Sequence, residues 1–286
     1  MPTEARRAGV LGSPVTHSLS PVLHLAAYRA LGLTDWTYDR IECDADRLPG
    51  LVSSLGPEWT GLSVTMPGKS AALAVASSAS PMAVAVGVAN TLVRQDSGSW
   101  HADCTDVDGV VGALRAAGGY VPVPDAAGLI LGAGGTASAA LAGFAALGIS
   151  RATVVMRDIT RAGTIAACAS RLGLPLDVIA WSSADFATLA SSAAVLVSTT
   201  PSSAVTPLAD SLSLAGCVLD VIYHPWPTPL ASAVLSRGRP VATGLDMLLH
   251  QAFAQVTHFT GQEAPRSAMR SALRAETGNT LDLPLA

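Results

Sequence analysis

Three observations predict two α/β domains in tandem, the second built on a doubly wound parallel sheet. The chain has 286 residues, enough for two domains that each bury a core of their own. Strand-like apolar segments alternate with helix-like ones along most of its length, the pattern of parallel strands joined by helical crossovers. A glycine turn follows directly on the apolar run Gly128-Leu129-Ile130-Leu131 and opens an Ala-rich helix.

In chain order, Gly9-Val10-Leu11 reads as a strand that turns at Ser13-Pro14. A helix is expected over 21–31, with Pro21 at its first position and Gly32 just past its end, where a fixed φ and a tolerance of positive φ respectively belong. Residues 36–42 are strand-like, 48–55 suit a helix, and Gly61-Leu62-Ser63-Val64-Thr65 alternates as a strand does. A helix over 106–117 carries Val107, Val110, Val111 and Leu114 at helical spacing, closes on Gly118-Gly119 and is expected to connect the two domains. Beyond a Pro-rich stretch at 122–124 come the strand 128–131, a helix to 147 and strands over 152–156, 194–198 and 217–221. Helices over 246–259 and 265–276 finish the chain.

Composition excludes several classes of function. Half the residues are apolar and 13% are charged, yet no apolar run reaches the ~18 residues that span a bilayer. The opening Met1-Pro2-Thr3-Glu4-Ala5-Arg6-Arg7 leads into an apolar stretch that Gly12-Ser13-Pro14 breaks at once, which is not a signal-peptide pattern, so a cytoplasmic product is expected. Net charge is -4 and the basic residues are scattered, which leaves no footprint for nucleic acid or anionic membrane and favours small-molecule partners. Cys43, Cys104, Cys168 and Cys217 lie far apart with no CxxC pair, so neither a disulfide framework nor a zinc site is indicated. Of the seventeen basic residues sixteen are Arg, and Lys69 is the one Lys. A chain that otherwise uses Arg keeps Lys where the side chain must be able to give up its proton.

Four sets of residues can carry chemistry. Gly132-Ala133-Gly134-Gly135-Thr136-Ala137 fits G-x-G-x-x-[G/A] between a strand and a helix, where glycines let the backbone approach a pyrophosphate and the helix N-terminus offers N–H donors. After the next strand, Arg157 and Arg161 are spaced to clamp a 2′-phosphate, while Asp158 could instead accept from a free ribose 2′-hydroxyl; both readings stand. Ser18 and Ser20 flank Leu19 ahead of Pro21, with Ser20 placed as the N-cap, so a carboxylate would be welcome there, although capping alone accounts for both. The Pro67-Gly68 turn exposes Lys69, and Asp106 sits at a helix start; a Lys and an Asp meeting over an alcohol could share its proton.

The combination of His17-Ser18-Leu19-Ser20-Pro21, Ser63 to Lys69, Gly87-Val88-Ala89-Asn90-Thr91-Leu92, Thr105-Asp106, Gly132 to Ala137, Asp220-Val221-Ile222-Tyr223 and Gly244-Leu245-Asp246-Met247 through Gln251, in this order and spacing, resembles the shikimate dehydrogenase family. The resemblance implies an N-terminal α/β substrate domain, a Rossmann-type dinucleotide domain and C-terminal helices that pack back on the first. The boundaries implied are 1–105 completed by 246–286 for the substrate and 106–245 for the dinucleotide. It implies reversible NADPH-dependent reduction of 3-dehydroshikimate to shikimate in a cleft, with Lys69 and Asp106 catalytic. Substrate contacts are implied at Ser18, Ser20, Ser63, Thr65, Asn90, Tyr223 and Gln251. NADP contacts are implied at Gly132, Ala133, Gly134, Gly135, Thr136, Ala137, Arg157, Arg161, Thr199, Val221, Gly244 and Met247. NAD is the alternative cofactor, no metal is implied, and the chain is expected to be a monomer or homodimer. An NAD-using quinate/shikimate dehydrogenase and a ligand sensor without turnover are the rival readings. The chain departs from the family pattern at Ser63, where Asn is usual, at Gly68, where a bulkier residue is common, and at Cys104, where Asn is usual.

Overall fold

A computed structural model describes residues 5–286, so the opening Met1 to Glu4 lies outside the described residues. The chain forms two compact units, 1–105 with 251–283, and 106–250 with 284–286.

The first unit is built on a six-stranded mixed sheet of β1 (Arg6–Gly12), β2 (Trp36–Glu42), β3 (Trp59–Val64), β4 (Ser78–Ala79), β5 (Thr91–Arg94) and β6 (Trp100–Asp103), ordered β2-β1-β3-β5-β6-β4. Strands β2, β1 and β3 run parallel, joined through the helices Ser20–Ala30 and Leu48–Ser54. Strand–helix alternation continues through the helices Lys69–Val75 and Pro81–Val86 and fails at β5 and β6, where the all-parallel order fails too. β5 pairs antiparallel with both β3 and β6, and the β5–β6 hairpin closes through Asp96-Ser97-Gly98, with Gly98 at φ +84°. The alternation of β3 has a physical use. Leu62 and Val64 enter an apolar core with Leu11, Leu48, Leu92 and Trp100. A Cβ on Gly61 would collide with the Phe259 ring, so the missing side chain lets the helix Gly244–Thr260 lie close on the opposite face.

The second unit carries β7 (Ala127–Leu131), β8 (Arg151–Met156), β9 (Leu176–Ala180), β10 (Val195–Ser198), β11 (Cys217–Asp220) and β12 (Ala242–Thr243) in one sheet ordered β12-β11-β10-β7-β8-β9. Every pair in it is parallel, and the strand order reverses at β7, as in a doubly wound dinucleotide-binding fold. Successive residues feed opposite cores. Ile130, Val197 and Leu219 pack on one side of the sheet, and Leu129, Leu131, Leu196 and Val218 on the other. This double burial explains why the strands read as unbroken apolar runs.

The division between units falls inside the helix Gly244–Thr260, after His250. Its first two turns belong with the second unit because Met247 is part of that core and His250 packs on Gly112, where any Cβ would strike the imidazole. The helix Arg266–Glu276 packs against Ser20–Ala30 in the first unit. None of the four cysteines is in a disulfide, and among the described residues no helix is long and apolar enough to cross a membrane.

Candidate functional site

In the first unit, the helix Ser20–Ala30 begins one residue earlier than the sequence suggested. Its N-cap is Leu19, in helical backbone conformation and without a side-chain cap; Ser20 is instead the first helical residue and is buried. The Ser20 N–H donates to Ser18 Oγ at 3.3 Å, and Arg40 Nε holds the Ser18 carbonyl at 2.9 Å. Half-buried Ser18 thus sits beside a first turn that no side chain caps, a setting for an anion.

The C-terminal end of β3 carries the next candidates. Thr65 is half-buried, and its N–H donates to the Leu11 carbonyl at 2.8 Å. Gly68 is the N-cap of the helix Lys69–Val75, and a larger residue there would press on Leu48 and Val64, which accounts for the loss of the bulk usual at this position. The Lys69 carbonyl accepts the Ala89 N–H at 3.0 Å, tying the lysine backbone to the turn that carries Asn90.

Behind this rim lies a buried polar network. Asn90 Nδ2 donates to Thr105 Oγ1 at 3.0 Å and Gln251 Oε1 at 3.1 Å, while Asn90 Oδ1 accepts from the Thr105 N–H at 2.8 Å and Thr91 Oγ1 at 3.0 Å. Gln255 Nε2 donates to the Asn90 carbonyl at 3.2 Å and Thr91 Oγ1 at 2.9 Å. Its Oε1 accepts from Ser63 Oγ at 2.7 Å and contacts His24 Nε2 at 3.3 Å. Tyr38 donates to Ser63 at 2.6 Å. Burial pushes the His24 imidazole down to about 3, despite its hydrogen bond to Gln255, so it is neutral at any working pH. The ring stacks on Tyr38 with centroids 4.1 Å apart.

Sequence reasoning named Ser63, Asn90 and Gln251 but missed His24, Tyr38, Thr91 and Gln255. A signal was present in the spacing: Gln251, Gln255 and Phe259 recur every four residues, one face of a helix.

In the second unit, Gly132 adopts φ +102°, and a Cβ there would run into Thr199 Oγ1, whose hydroxyl is held by the Leu131 carbonyl at 2.8 Å. Gly134 caps the helix Gly135–Ala146, and nothing lies within 4 Å of where its Cβ would be. Thr136 is half-buried, and Ala137 anchors the same turn in the core. An open cradle over unpaired first-turn N–H groups has the form a diphosphate needs. Asp158 accepts from Thr160 Oγ1 at 2.6 Å and the Thr160 N–H at 3.0 Å, and these bonds hold its carboxyl below the usual range. Arg157 and Arg161 are exposed; the Arg161 N–H donates to the Asp158 carbonyl at 3.2 Å, and its charge helps to lower the Asp158 carboxyl.

At the neighbouring strand ends, buried Asp220 accepts from Thr228 Oγ1 at 2.7 Å and the Ile222 N–H at 3.3 Å, shaping the loop that carries Tyr223. Burial pushes the Tyr223 phenol up, so it stays protonated. A side chain on Gly244 would strike the Val221 carbonyl and crowd Tyr223. Thr243 and Asp246 cap the helix reciprocally, with the Thr243 N–H to Asp246 Oδ2 at 2.8 Å. Met247 is buried with Val221 and Ala133 against one core. Asp106, also buried, opens the helix Asp106–Ala116 and belongs to this unit, whereas Lys69 belongs to the other.

A family model for the shikimate dehydrogenase substrate binding domain matches residues 10–92, and one for the shikimate 5′-dehydrogenase C-terminal domain matches 244–274. A Caulobacter vibrioides protein named shikimate dehydrogenase (NADP(+)) is 37% identical over 261 residues, covering 89% of each chain. The crystal structure of Mycobacterium tuberculosis shikimate dehydrogenase superposes with a TM-score of 0.87 at 54% identity, over 94% of this chain and 99% of that one. The Thermus thermophilus enzyme in complex with NADP(H) and shikimate gives 0.76 at 29% identity, over 94% and 99%.

Proposed function

The chain belongs to the shikimate dehydrogenase family, and from that premise we propose that it catalyses the reversible NADPH-dependent reduction of 3-dehydroshikimate to shikimate in the cytoplasm. The observation that carries the reading is likeness to such enzymes across both units, 54% identity over 94% of the chain, rather than across the nucleotide-binding half alone.

In this reading Ser18 and Ser20 hold the ring carboxylate, supported by the position of Ser18 beside a helix start that no side chain caps. Thr65 and Lys69 reach the ring hydroxyls from the end of β3, with Ser63, Asn90 and Gln251 behind them and Tyr223 donating as a neutral phenol. Lys69 hydrogen-bonds the reacting oxygen and carries its proton, and Asp106 shares that proton, so charge does not build up on the oxygen as its carbon changes oxidation state.

The second unit suits a phosphorylated dinucleotide. Gly132 to Ala137 would receive the pyrophosphate, with Thr199 and Val221 at the adjacent strand ends and Gly244 and Met247 beside them. Asp158 has its carboxylate engaged by Thr160, whereas the guanidinium groups of exposed Arg157 and Arg161 can meet a 2′-phosphate. When bound, the nicotinamide supplies or accepts the hydride.

Following absorbance at the nicotinamide band tests the proposal with shikimate or quinate and with NADP or NAD. Shikimate with NADP should give the highest kcat/KM. No turnover with either cofactor would leave a ligand-binding protein, and a preference for NAD or quinate would replace the specificity proposed.

A further inference from the structure

The network behind Asn90 has a fixed direction, and two backbone groups set it. The Asn90 carbonyl can only accept, so the Gln255 atom facing it at 3.2 Å is the amide nitrogen. The Thr105 N–H can only donate, so the Asn90 atom facing it at 2.8 Å is the amide oxygen. Neither side-chain amide can be reversed without leaving a buried donor against a donor or an acceptor against an acceptor.

From these anchors each proton can be followed. Gln255 Oε1 faces Ser63 Oγ at 2.7 Å and His24 Nε2 at 3.3 Å, so both must donate to it. The single Ser63 proton is thereby engaged inside the protein, and Tyr38, 2.6 Å away, donates to the Ser63 oxygen. Neutral His24 must carry its proton on Nε2, which makes its buried, unpartnered Nδ1 an acceptor. On the other side, Thr91 Oγ1 accepts from Gln255 and passes its own proton to Asn90 Oδ1. Asn90 Nδ2 then donates to Gln251 Oε1.

We propose that Gln255 is a positioning residue that sets the hydrogen-bond polarity of the substrate pocket, holding Ser63 toward the ligand as an acceptor only and orienting the Asn90–Gln251 pair. The inference rests on the reading that Ser63, Asn90 and Gln251 serve shikimate. It also gives the departure at Ser63 a physical partner. An Asn there would bring its own donor and acceptor, whereas a serine has one proton, and Gln255 decides where it points.

The test uses the full chain. Gln255→Met keeps the volume and removes both polar ends. Shikimate KM should rise about five- to tenfold, the change that one net hydrogen bond brings, with a smaller change in kcat and none in NADP KM. In a double-mutant cycle, Ser63→Ala should add little to Gln255→Met, because both act through the same hydroxyl. Gln255→Glu keeps an oxygen toward Ser63 but loses the donors to Asn90 and Thr91, and should raise shikimate KM as well; it stands in should Gln255→Met fail to fold. Unchanged shikimate KM in whichever variant folds, or additivity in the cycle, overturns the proposal. A wild-type protein that neither binds nor turns over shikimate refutes the functional reading instead.

Discussion

In the unit of 106–250 the candidate binding groups are mostly backbone, while in the unit of 1–105 they are mostly side chains. The dinucleotide half offers the N–H groups of one helix turn, reached because Gly132 takes φ +102° and Gly134 has open space around it. The substrate half is assembled from residues 161 positions apart for Asn90 and Gln251 and 192 apart for Ser63 and Gln255. A pyrophosphate can be held by any short glycine turn in front of a helix. Distinguishing the hydroxyls of a ring needs donors and acceptors in a set order, which only a network of side chains supplies. Point substitutions should therefore act differently in the two halves.

The largest effect is expected at Lys69, where the proposed mechanism has one side chain carry the proton and no backbone group can replace it. Lys69→Ala and Lys69→Arg should each lower kcat by roughly 10²- to 10⁴-fold with a smaller change in shikimate KM, since a guanidinium does not release its proton. Steady-state kinetics check this, and a near-normal kcat in Lys69→Ala would shift proton handling to Asp106 or Tyr223.

A pair of glycines sharpens the contrast from the other side. In Gly244→Ala the new Cβ meets the Val221 carbonyl, which is backbone and cannot swing aside, so a loss of at least about 2 kcal/mol is expected in denaturant unfolding. Gly134→Ala meets nothing and adopts an ordinary φ of -82°, so stability should hold. The added methyl occupies the cradle, and NADP KM should rise while shikimate KM does not. Equal behaviour of the two variants would mean that Gly134 serves packing rather than ligand approach.

The same contrast decides what the sequence could reveal. Strands β7, β10 and β11 are buried on both faces, so their apolar runs announced themselves within a residue or two. The hairpin of β5 and β6 did not, because four-residue strands with Arg94, His101 and Asp103 among them show no clean alternation. Lys69 stood out by composition, and Ser63, Asn90 and Gln251 by motif. His24 and Tyr38 act through partners far away in the chain, which no local pattern records, and for Gln255 the four-residue spacing marks the helix face but not the partners Ser63 and Asn90. Ser20 was misjudged as a cap because a Ser ahead of Pro suits that position, yet burial draws the residue into the first turn.

Arg157 tests cofactor choice with a smaller effect. Arg157→Ala should lower kcat/KM for NADP by about tenfold, one charge-assisted hydrogen bond, while leaving NAD nearly unchanged. Equal losses with both cofactors would place Arg157 on the shared part of the dinucleotide.

The smallest effect expected is at Asp103, which closes the substrate half where β6 meets the C-terminal helix. Its carboxylate accepts from His258 Nε2 at 2.9 Å, from the Cys104 N–H at 2.8 Å and from Ser80 Oγ, which also caps the helix Pro81–Val86. Partial burial alone would raise its pKa, but the hydrogen bonds from His258, Ser80 and Cys104 outweigh it and hold the carboxyl below the usual range. A carboxyl whose folded pKa is depressed stabilises the fold fully above its unfolded value, near 3.9, and the contribution disappears as pH falls through the lower folded value. Asp103→Asn keeps the shape but not the charge, and should cost about 1 to 2 kcal/mol at pH 7. Unfolding measured from pH 7 downward should show the wild type and the variant converging in acid, below about pH 4. A gap that stays constant with pH would assign the loss to amide geometry rather than charge. A rise in shikimate KM alongside the stability loss would mean that the His258 tie also steadies Gln251 and Gln255, two and one helical turns back along the same helix.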